Sequence, residues 1–254
     1  MDRDQVLRVL DAERQGIAHA GALLDVRPAV TRIRAADGSH HRVVFSSLRA
    51  ENADAIIDEE VAHYRQLGVV FEWKAYAHDA PPDLLARLER RGFEIGEREA
   101  VMVYDLTHAA TWIDAPAPAV VRVDCSDRLD DYRRVAERVF GKDYAFTTNE
   151  LAAALATGSP RHRGYVAYVA DGPASIGRLY TNSGSVFGGL CGGGTLPACR
   201  GLGLYRAVVA ARARDARAAG ARYLLADALP TSQPILERLG FERVTDTWPC
   251  EWRP

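Results

Sequence analysis

The chain has 254 residues, of which 48% are hydrophobic and 26% are charged, enough to bury one large core or two small ones. Its 32 basic and 34 acidic residues leave a formal net charge of -2, which does not indicate nucleic acid or an anionic membrane surface as a partner. No apolar run approaches the length of a membrane span, and the first residues lack the features of a signal peptide. We therefore expect a cytoplasmic protein.

Helices and strands alternate through the first half of the chain. Residues 4–24 have an amphipathic pattern that predicts a helix. The following segments predict strands at 30–34 and 41–46 around a turn at 36–38, a helix at 51–67, a strand at 69–77, a helix leading to Arg91, and a strand at 100–106. After them, Asp114-Ala-Pro-Ala-Pro-Ala-Val is typical of a stiff linker. We predict a first domain at 1–112, a linker at 113–119 and a second domain at 120–254.

The second half has a similar series. Its segments predict a strand at 120–123, a helix at 128–140, a loop and short helix at 144–158, a hairpin of 165–170 and 175–181, a strand at 185–196, a helix from about Gly203 to Gly220, a strand at 222–228, a helix at 230–239, and strands at 242–246 and 248–253. In the helix that follows Gly203, Arg212 lies near the edge of the apolar face. Asp215 interrupts that face, so we expect the last turns to leave the sheet for solvent.

A repeated segment links the two halves. Leu88-Glu-Arg-Arg-Gly-Phe-Glu94 matches Leu236-Glu-Arg-Leu-Gly-Phe-Glu242 at every position except Arg91 against Leu239. The two halves therefore look like copies of one fold.

The turn before the helix at Gly203 has the features of an anion site. Glycines at 201 and 203 allow close approach to the first N–H groups of the helix, which have no partner within it. The stretch is neither a Walker-type P-loop nor a dinucleotide fingerprint. The first copy has Ser46-Ser-Leu-Arg-Ala-Glu-Asn52 at this place, without glycine. The alternative is a helix that merely begins after a Pro and Gly turn.

Arg200-Gly-Leu-Gly-Leu-Tyr205 resembles the pyrophosphate loop of the GNAT superfamily, the acyl-CoA-dependent N-acyltransferases, usually written Arg/Gln-x-x-Gly-x-Gly/Ala. The segment from Pro234 to Glu242 looks like the other GNAT signature, a helix ending at Leu-Gly-Phe. Tyr205 stands where the family has a small residue, and Leu236 where it has a tyrosine. The resemblance implies an α+β fold of two GNAT-like units, each a mixed, mostly antiparallel sheet flanked by helices, with a degenerate N-terminal copy. This tandem arrangement is similar in architecture to mycothiol synthase and its relatives.

The resemblance also implies an N-acetyltransferase that moves an acetyl group from acetyl-CoA to a small-molecule primary amine by direct attack. Backbone N–H groups near Gly192 to Gly194 would stabilise charge on the thioester oxygen, and a flexible strand end is the alternative for this glycine run. The residues implied to bind coenzyme A are Thr195, Leu196, Arg200, Gly201, Leu202, Gly203, Leu204, Tyr205 and Ser232.

The catalytic base is less well defined by the sequence, because the strand from Ser185 to Cys191 has no carboxylate. Asp227 is the first candidate, with a helix-flanking cap as its alternative role, and Glu150 and Tyr144 follow it. No metal is expected, because the four cysteines form no Cys-x-x-Cys pair and have no histidine at ligand spacing.

We expect a monomer or a homodimer. We also expect the first copy to form part of the wall of the acceptor pocket, in place of the dimer partner that single-unit relatives often use. Two other functions stay open from the sequence. One is a non-catalytic acyl-CoA-binding sensor or adaptor, and the other is an interaction protein whose loop is vestigial.

Overall fold

The structure, a computed structural model, describes residues 1–17, 22–35, 38, 40–108, 111–116 and 118–254. The elements of the first half are α1 (Arg3–Gly16), β1 (Ala22–Val26), β2 (Val30–Ala35), β3 (His41–Ser46), α2 (Ala53–Leu67), β4 (Phe71–Tyr76), α3 (Leu84–Arg90), β5 (Glu94–Ile95), β6 (Glu99–Asp105) and α4 (Thr111–Asp114). In the described part of the chain, every helix is too short or too polar to span a lipid bilayer.

The second half continues in the predicted order. Its elements are β7 (Val120–Arg122), α5 (Ser126–Phe140), α6 (Ala145–Ala156), β8 (His162–Val169), β9 (Gly172–Thr181), β10 (Phe187–Thr195), a 3-10 turn (Pro197–Cys199), α7 (Leu204–Ala218), β11 (Tyr223–Ala228), α8 (Gln233–Arg238) and β12 (Glu242–Trp252).

The chain forms two compact units. Unit 1 comprises Met1–Met102, Asp227–Glu237 and Glu242–Pro254, and unit 2 comprises Val103–Ala226 and Arg238–Phe241. The predicted boundaries at residues 112 and 120 do not include this return of the chain to unit 1. The division into two domains at 1–112 and 120–254 stays a prediction.

Unit 1 is a mixed sheet with helices packed on it. Its strands lie in the order β1-β2-β3-β4-β12, with β5 paired to β12. The β3–β4 pair is parallel, and the others are antiparallel. α2 buries Ile57, Val61 and Tyr64, which are spaced to share one helix face, and it ends at Gly68 in the left-handed conformation.

Unit 2 repeats this plan. Its strands lie in the order β11-β10-β9-β8-β7, with β10 and β11 parallel and the remaining neighbours antiparallel. α5 and α7 pack against β8, β9 and β10. Each unit is therefore a mixed, mostly antiparallel sheet flanked by helices, and the predicted α+β class is confirmed.

The repeated segment has the same local structure in both copies. Gly92 and Gly240 have φ of 84° and 89°, which glycine tolerates without strain. Each follows a short helix and precedes a buried phenylalanine, Phe93 or Phe241. The sequence repeat thus corresponds to a repeated helix, turn and strand.

Two predictions were wrong at their edges. The helix predicted at 4–24 ends at Gly16, and Ala22–Val26 is a strand paired with β2. The two strands predicted at 242–246 and 248–253 form one strand, because Pro249 lies within β12 opposite Lys74. The predicted linker begins inside α4, where Ile113 is buried. Ala36 and Asp37 of the predicted turn, and Ala117 of the linker, lie outside the described residues.

Arg212 differs most from expectation, since its side chain is buried with 1% exposure. Its Nη1 donates to the carbonyl oxygens of Arg178 (3.1 Å) and Cys191 (3.4 Å). Burial lowers the pKa of the guanidinium. The end of α7 also stays on the sheet, with Ala213 and Ala216 buried. Asp215 causes no departure because Arg122 and Tyr165 bind its carboxylate.

Gly177 on β9 makes room for Arg212. A Cβ atom at Gly177 would lie 2.7 Å from Cζ of Arg212 and 2.8 Å from Cγ1 of Val208. We therefore expect Gly177→Ala to lower the free energy of unfolding by about 1–3 kcal/mol, measured by urea denaturation. Gly189→Ala is the matched control, because its nearest neighbouring atom would be 3.8 Å away. Equal effects of the two substitutions would contradict this packing.

Candidate functional site

The strand β10 continues beyond its pairing with β11. Phe187, Gly188 and Gly189 pair in parallel with Tyr223–Leu225, and β10 then runs on to Thr195. On its other side it stays paired with β9, where Thr195 lies opposite Ser175. The end of β10 therefore leads the chain from the sheet into the glycine loop.

The glycine loop, residues 200–203, is open to solvent. Gly201 and Gly203 have φ of 82° and 76°, and a Cβ atom at either would have no neighbouring atom within 4 Å. Leu202 is 58% exposed. Gly203 is the N-cap of α7, whose first intrahelical hydrogen bond joins the N–H of Ala207 to the carbonyl of Gly203 at 3.0 Å.

The first N–H groups of α7 therefore face the loop. Those of Leu204, Tyr205 and Arg206 precede the first hydrogen bond of the helix, so helix geometry directs them away from its body. The helix dipole adds a partial positive charge at the same end. The surface suits an anion, and the exposed Arg200 lies beside it.

Tyr205 does not fill the loop, although it replaces a small residue of the GNAT pattern. Its ring packs beside Gly193, where a Cβ atom would lie 3.1 Å from Cε2 of the tyrosine. Its hydroxyl bonds to Arg212, and burial raises its pKa. The tyrosine ring is thus directed to the sheet, and the glycine loop stays open.

The glycine run of β10 is closely packed. It includes a β-bulge between Cys191 and Gly194, and a Cβ atom at Gly194 would lie 2.5 Å from Cγ1 of Val139. The hydroxyl of Ser175 donates to the carbonyl of Gly194 at 2.9 Å and lies 2.8 Å from Oγ1 of Thr195. The N–H of Leu196 donates to Ala174 at 2.9 Å. The end of the strand is held in place rather than loose.

Two candidate catalytic residues, Glu150 and Tyr144, lie in unit 2 with an arginine that sequence reasoning missed. Nη1 of Arg178 donates to the hydroxyl of Tyr180 at 2.8 Å and lies 3.6 Å from Oε2 of Glu150. Tyr144 stacks on Phe140 with ring centroids 5.1 Å apart. Burial raises the pKa of Tyr144, so near pH 7 its hydroxyl can donate a proton but not accept one.

Asp227 lies in unit 1, where it forms an ion pair with Lys74. Burial disfavours the charged form of this lysine, but Asp227 and the neighbouring acidic groups together outweigh that effect and raise the lysine pKa. The role of Asp227 as the catalytic base stays a prediction. Ser232, also in unit 1, donates its hydroxyl to the carbonyl of Leu229 at 3.2 Å.

One side-chain cluster among the described residues has the geometry of a metal site, Asp11, His78 and Asp79 in unit 1. The guanidinium of Arg14 already pairs with both of its carboxylates. Nη1 of Arg14 lies 2.7 Å from Oδ1 of Asp11 and 3.1 Å from Oδ1 of Asp79, and Cζ lies 3.8 Å from the centre of the Tyr76 ring. The cluster is an internal ion-pair network.

His162 lies beside the Arg178 cluster. Its ring stacks on Tyr180 with centroids 4.0 Å apart, and its Nε2 is buried with no hydrogen-bond partner among the described residues. Burial, assisted by the charge of Arg178, lowers the pKa of His162 to about 3. The imidazole is therefore neutral at physiological pH.

No family model and no curated protein matches the sequence, but solved structures match its fold. A GCN5-related N-acetyltransferase from Kribbella flavida has a TM-score of 0.66 at 15% identity, covering 100% of this chain and 96% of that one. A functionally unknown conserved protein from Staphylococcus epidermidis ATCC 12228 has a TM-score of 0.65 at 15% identity, covering 91% and 94%. A tandem GNAT protein from the clavulanic acid biosynthesis pathway has a TM-score of 0.61 at 13% identity, covering 93% and 85%.

The chain therefore has the fold of the GCN5-related N-acetyltransferases, and one of these similar structures is a tandem GNAT protein. The expected fold is confirmed. The likeness to mycothiol synthase stays a prediction.

The lowered pKa of His162 predicts a pH dependence of stability. The unfolded chain binds a proton at this residue below about pH 6.5, whereas the folded chain does so only near pH 3. Stability is therefore lost as the pH falls through this window, by up to about 1.4 kcal/mol per pH unit. In urea denaturation at pH 7.5, 6.0 and 5.0, we expect the wild type to lose about 2 kcal/mol more than His162→Gln by pH 5. Equal losses would show that folded His162 accepts a proton in this range.

Proposed function

We propose that this protein is an acyl-CoA-dependent N-acyltransferase that transfers an acetyl group from acetyl-CoA to a small-molecule primary amine. One observation carries the proposal. In a chain with the GNAT fold, the open glycine loop of residues 200–203 joins the end of β10 to the N-terminus of α7. We place its activity in the cytoplasm.

The loop would bind the pyrophosphate of coenzyme A. The N–H groups of Leu204 and Tyr205 at the start of α7, with those of Gly201, Leu202 and Gly203, can donate to phosphate oxygens. Arg200 adds a mobile cation that forms charge-assisted hydrogen bonds with phosphate. The main chain of Thr195 and Leu196 at the end of β10 would hold the pantetheine arm.

The reaction needs a neutral amine. Its lone pair forms the new N–C bond with the acyl carbon while the C–S bond breaks, and coenzyme A leaves as a thiolate. A thiol pKa of about 8.5 makes this a good leaving group. We propose that Glu150, whose side chain is 34% exposed, takes the proton of the amine, and that the hydroxyl of Tyr144 protonates the thiolate.

A non-catalytic acyl-CoA-binding module is the second candidate. The observation that favours it is Leu236, which is buried and apolar at the position where the family resemblance implies a tyrosine. Such a module would bind acetyl-CoA as tightly but would not acetylate amines, so turnover separates the two candidates.

The first test is binding of acetyl-CoA to the full chain, measured by thermal unfolding and by calorimetric titration. Acetyl-CoA at a hundred times its Kd should stabilise the folded chain by about 2.7 kcal/mol. Arg200→Glu should raise the Kd at least about tenfold, because it replaces a phosphate-binding cation by an anion. Arg200 is exposed, so the variant should fold normally.

Arg161→Glu is the matched control, with the same change of charge in the same unit. The carbonyl of Arg161 accepts a hydrogen bond from Thr181, whereas the loop follows Thr195, which lies opposite Ser175. Six residues of β9 separate these positions, which is about 20 Å. The control should bind acetyl-CoA as the wild type does. If neither acetyl-CoA nor a longer acyl-CoA stabilises the wild type, the transferase proposal is wrong.

A further inference from the structure

We propose that the acceptor is an α-amino acid or a close analogue, and that Arg178 and Tyr132 bind its carboxylate. This inference rests on the proposed function and names the class of its second substrate. Three observations support it: an incompletely used buried guanidinium, an unpartnered buried hydroxyl, and the convergence of both beside Gly192.

The Arg178 guanidinium is only partly used. Its side chain is 13% exposed, and Nη1 contacts Tyr180 and Glu150. Its Nε is buried and has no hydrogen-bond partner among the residues that the structure describes. A buried cationic donor without an acceptor is costly, and the described residues leave this donor unsatisfied.

Tyr132 on α5 presents a second donor of this kind. The residue is fully buried, at 0% exposure, and its hydroxyl has no partner within the described residues. Burial raises its pKa, so the hydroxyl keeps its proton near neutral pH and acts as a donor. Phenylalanine would fill the same space without this cost, which suggests that the hydroxyl serves a ligand.

The unpartnered Nε of Arg178 and the unpartnered hydroxyl of Tyr132 face the same place, and Nη2 of Arg178 lies beside them. A Cβ atom at Gly192 would lie 3.2 Å from Nε of Arg178, 3.4 Å from its Nη2 and 3.5 Å from the hydroxyl of Tyr132. The 3.2 Å distance is tighter than an ordinary van der Waals contact, so a side chain at Gly192 would crowd the guanidinium. Nε and Nη2 form one edge of the guanidinium, and that edge binds the two oxygens of a carboxylate through parallel hydrogen bonds.

Glu150 supplies the complementary charge. Its Oε2 lies 3.6 Å from Nη1 on the opposite edge of the same guanidinium. The guanidinium thus has a carboxylate on one edge and a carboxylate-binding edge on the other, so both charges of a zwitterionic amino acid have a partner at this residue. Bound in this way, the acceptor would place its ammonium group at Glu150, which we propose as the proton acceptor.

The test compares matched amines at saturating acetyl-CoA. Each of the twenty amino acids is assayed beside its α-amide and its decarboxylated amine, which keep the amine but lack the carboxylate. We expect turnover of at least one amino acid with kcat/KM at least tenfold above that of both analogues. Tyr132→Phe should raise the KM of that amino acid about tenfold, since a hydrogen bond to a charged group is lost, and should leave the analogues nearly unchanged.

Tyr132→Phe also separates binding from structure. Because the hydroxyl has no partner among the residues that the structure describes, the variant should keep or raise the urea midpoint. Tyr168→Phe is the control, since the hydroxyl of Tyr168 is bonded to Asp131 at 2.6 Å. Tyr168→Phe should lower the urea midpoint and leave unchanged the ratio of kcat/KM for the amino acid to kcat/KM for its amide.

Two results would overturn the inference. One is a wild type that acetylates amides and simple amines as well as amino acids, which leaves the proposed function intact. The other is a Tyr132→Phe variant with an equal loss of kcat for all amines, which would assign these donors to the thioester oxygen. If acetyl-CoA does not bind at all, the proposed function fails. Calorimetric titration of the amino acids and amides onto the chain alone then decides whether the carboxylate site exists.

Discussion

A guanidinium buried under α7 holds the site of unit 2 together. Arg212 donates to main-chain carbonyls on β9 and β10 and bonds to the hydroxyl of Tyr205. A buried cation needs its donors satisfied, and these partners satisfy them through carbonyl and hydroxyl oxygens. The arrangement fixes the bulge of β10 and draws the tyrosine ring away from the glycine loop. Arg178 also depends on it, because its own carbonyl is one of the acceptors.

Local sequence patterns predicted most of the fold. Glycine at the end of α2, the Asp-Gly turn of the β8–β9 hairpin and the strand before the glycine loop all follow from residues close together in the chain. The errors lie where a partner that is distant in sequence determines the local structure. Ala22–Val26 has a pattern that a helix could share, and its pairing with β2 makes it a strand. Two strands were predicted at 242–246 and 248–253, but Thr247 between them pairs with Tyr76 of β4, far away in sequence, so they form one strand.

In the candidate site, too, the features that depend on neighbouring residues could be predicted and those that depend on distant residues could not. The glycine loop could be predicted because its residues are contiguous and glycine has a defined backbone role there. Arg178, Tyr132 and Glu150 come from a strand and two helices, and no local pattern connects them. Arg212 was expected at the edge of its helix face, and only the missing side chain of Gly177 on another element allows its burial. Asp227 was the first candidate for the base, but its partner Lys74 lies 153 positions away.

The C-terminal strand has a consequence for biosynthesis. β12 completes the sheet of unit 1 by pairing with β4, and the hydroxyl of Thr247 donates to the carbonyl of Ala75, 172 positions earlier. Trp252 and Cys250 belong to the same core as Phe71 and Trp73. On the ribosome, β4 therefore emerges long before the strand that covers its edge, and an uncovered edge favours pairing with other chains. Unit 1 reaches its final packing only after unit 2 has been translated, so the order of synthesis is not the order of folding.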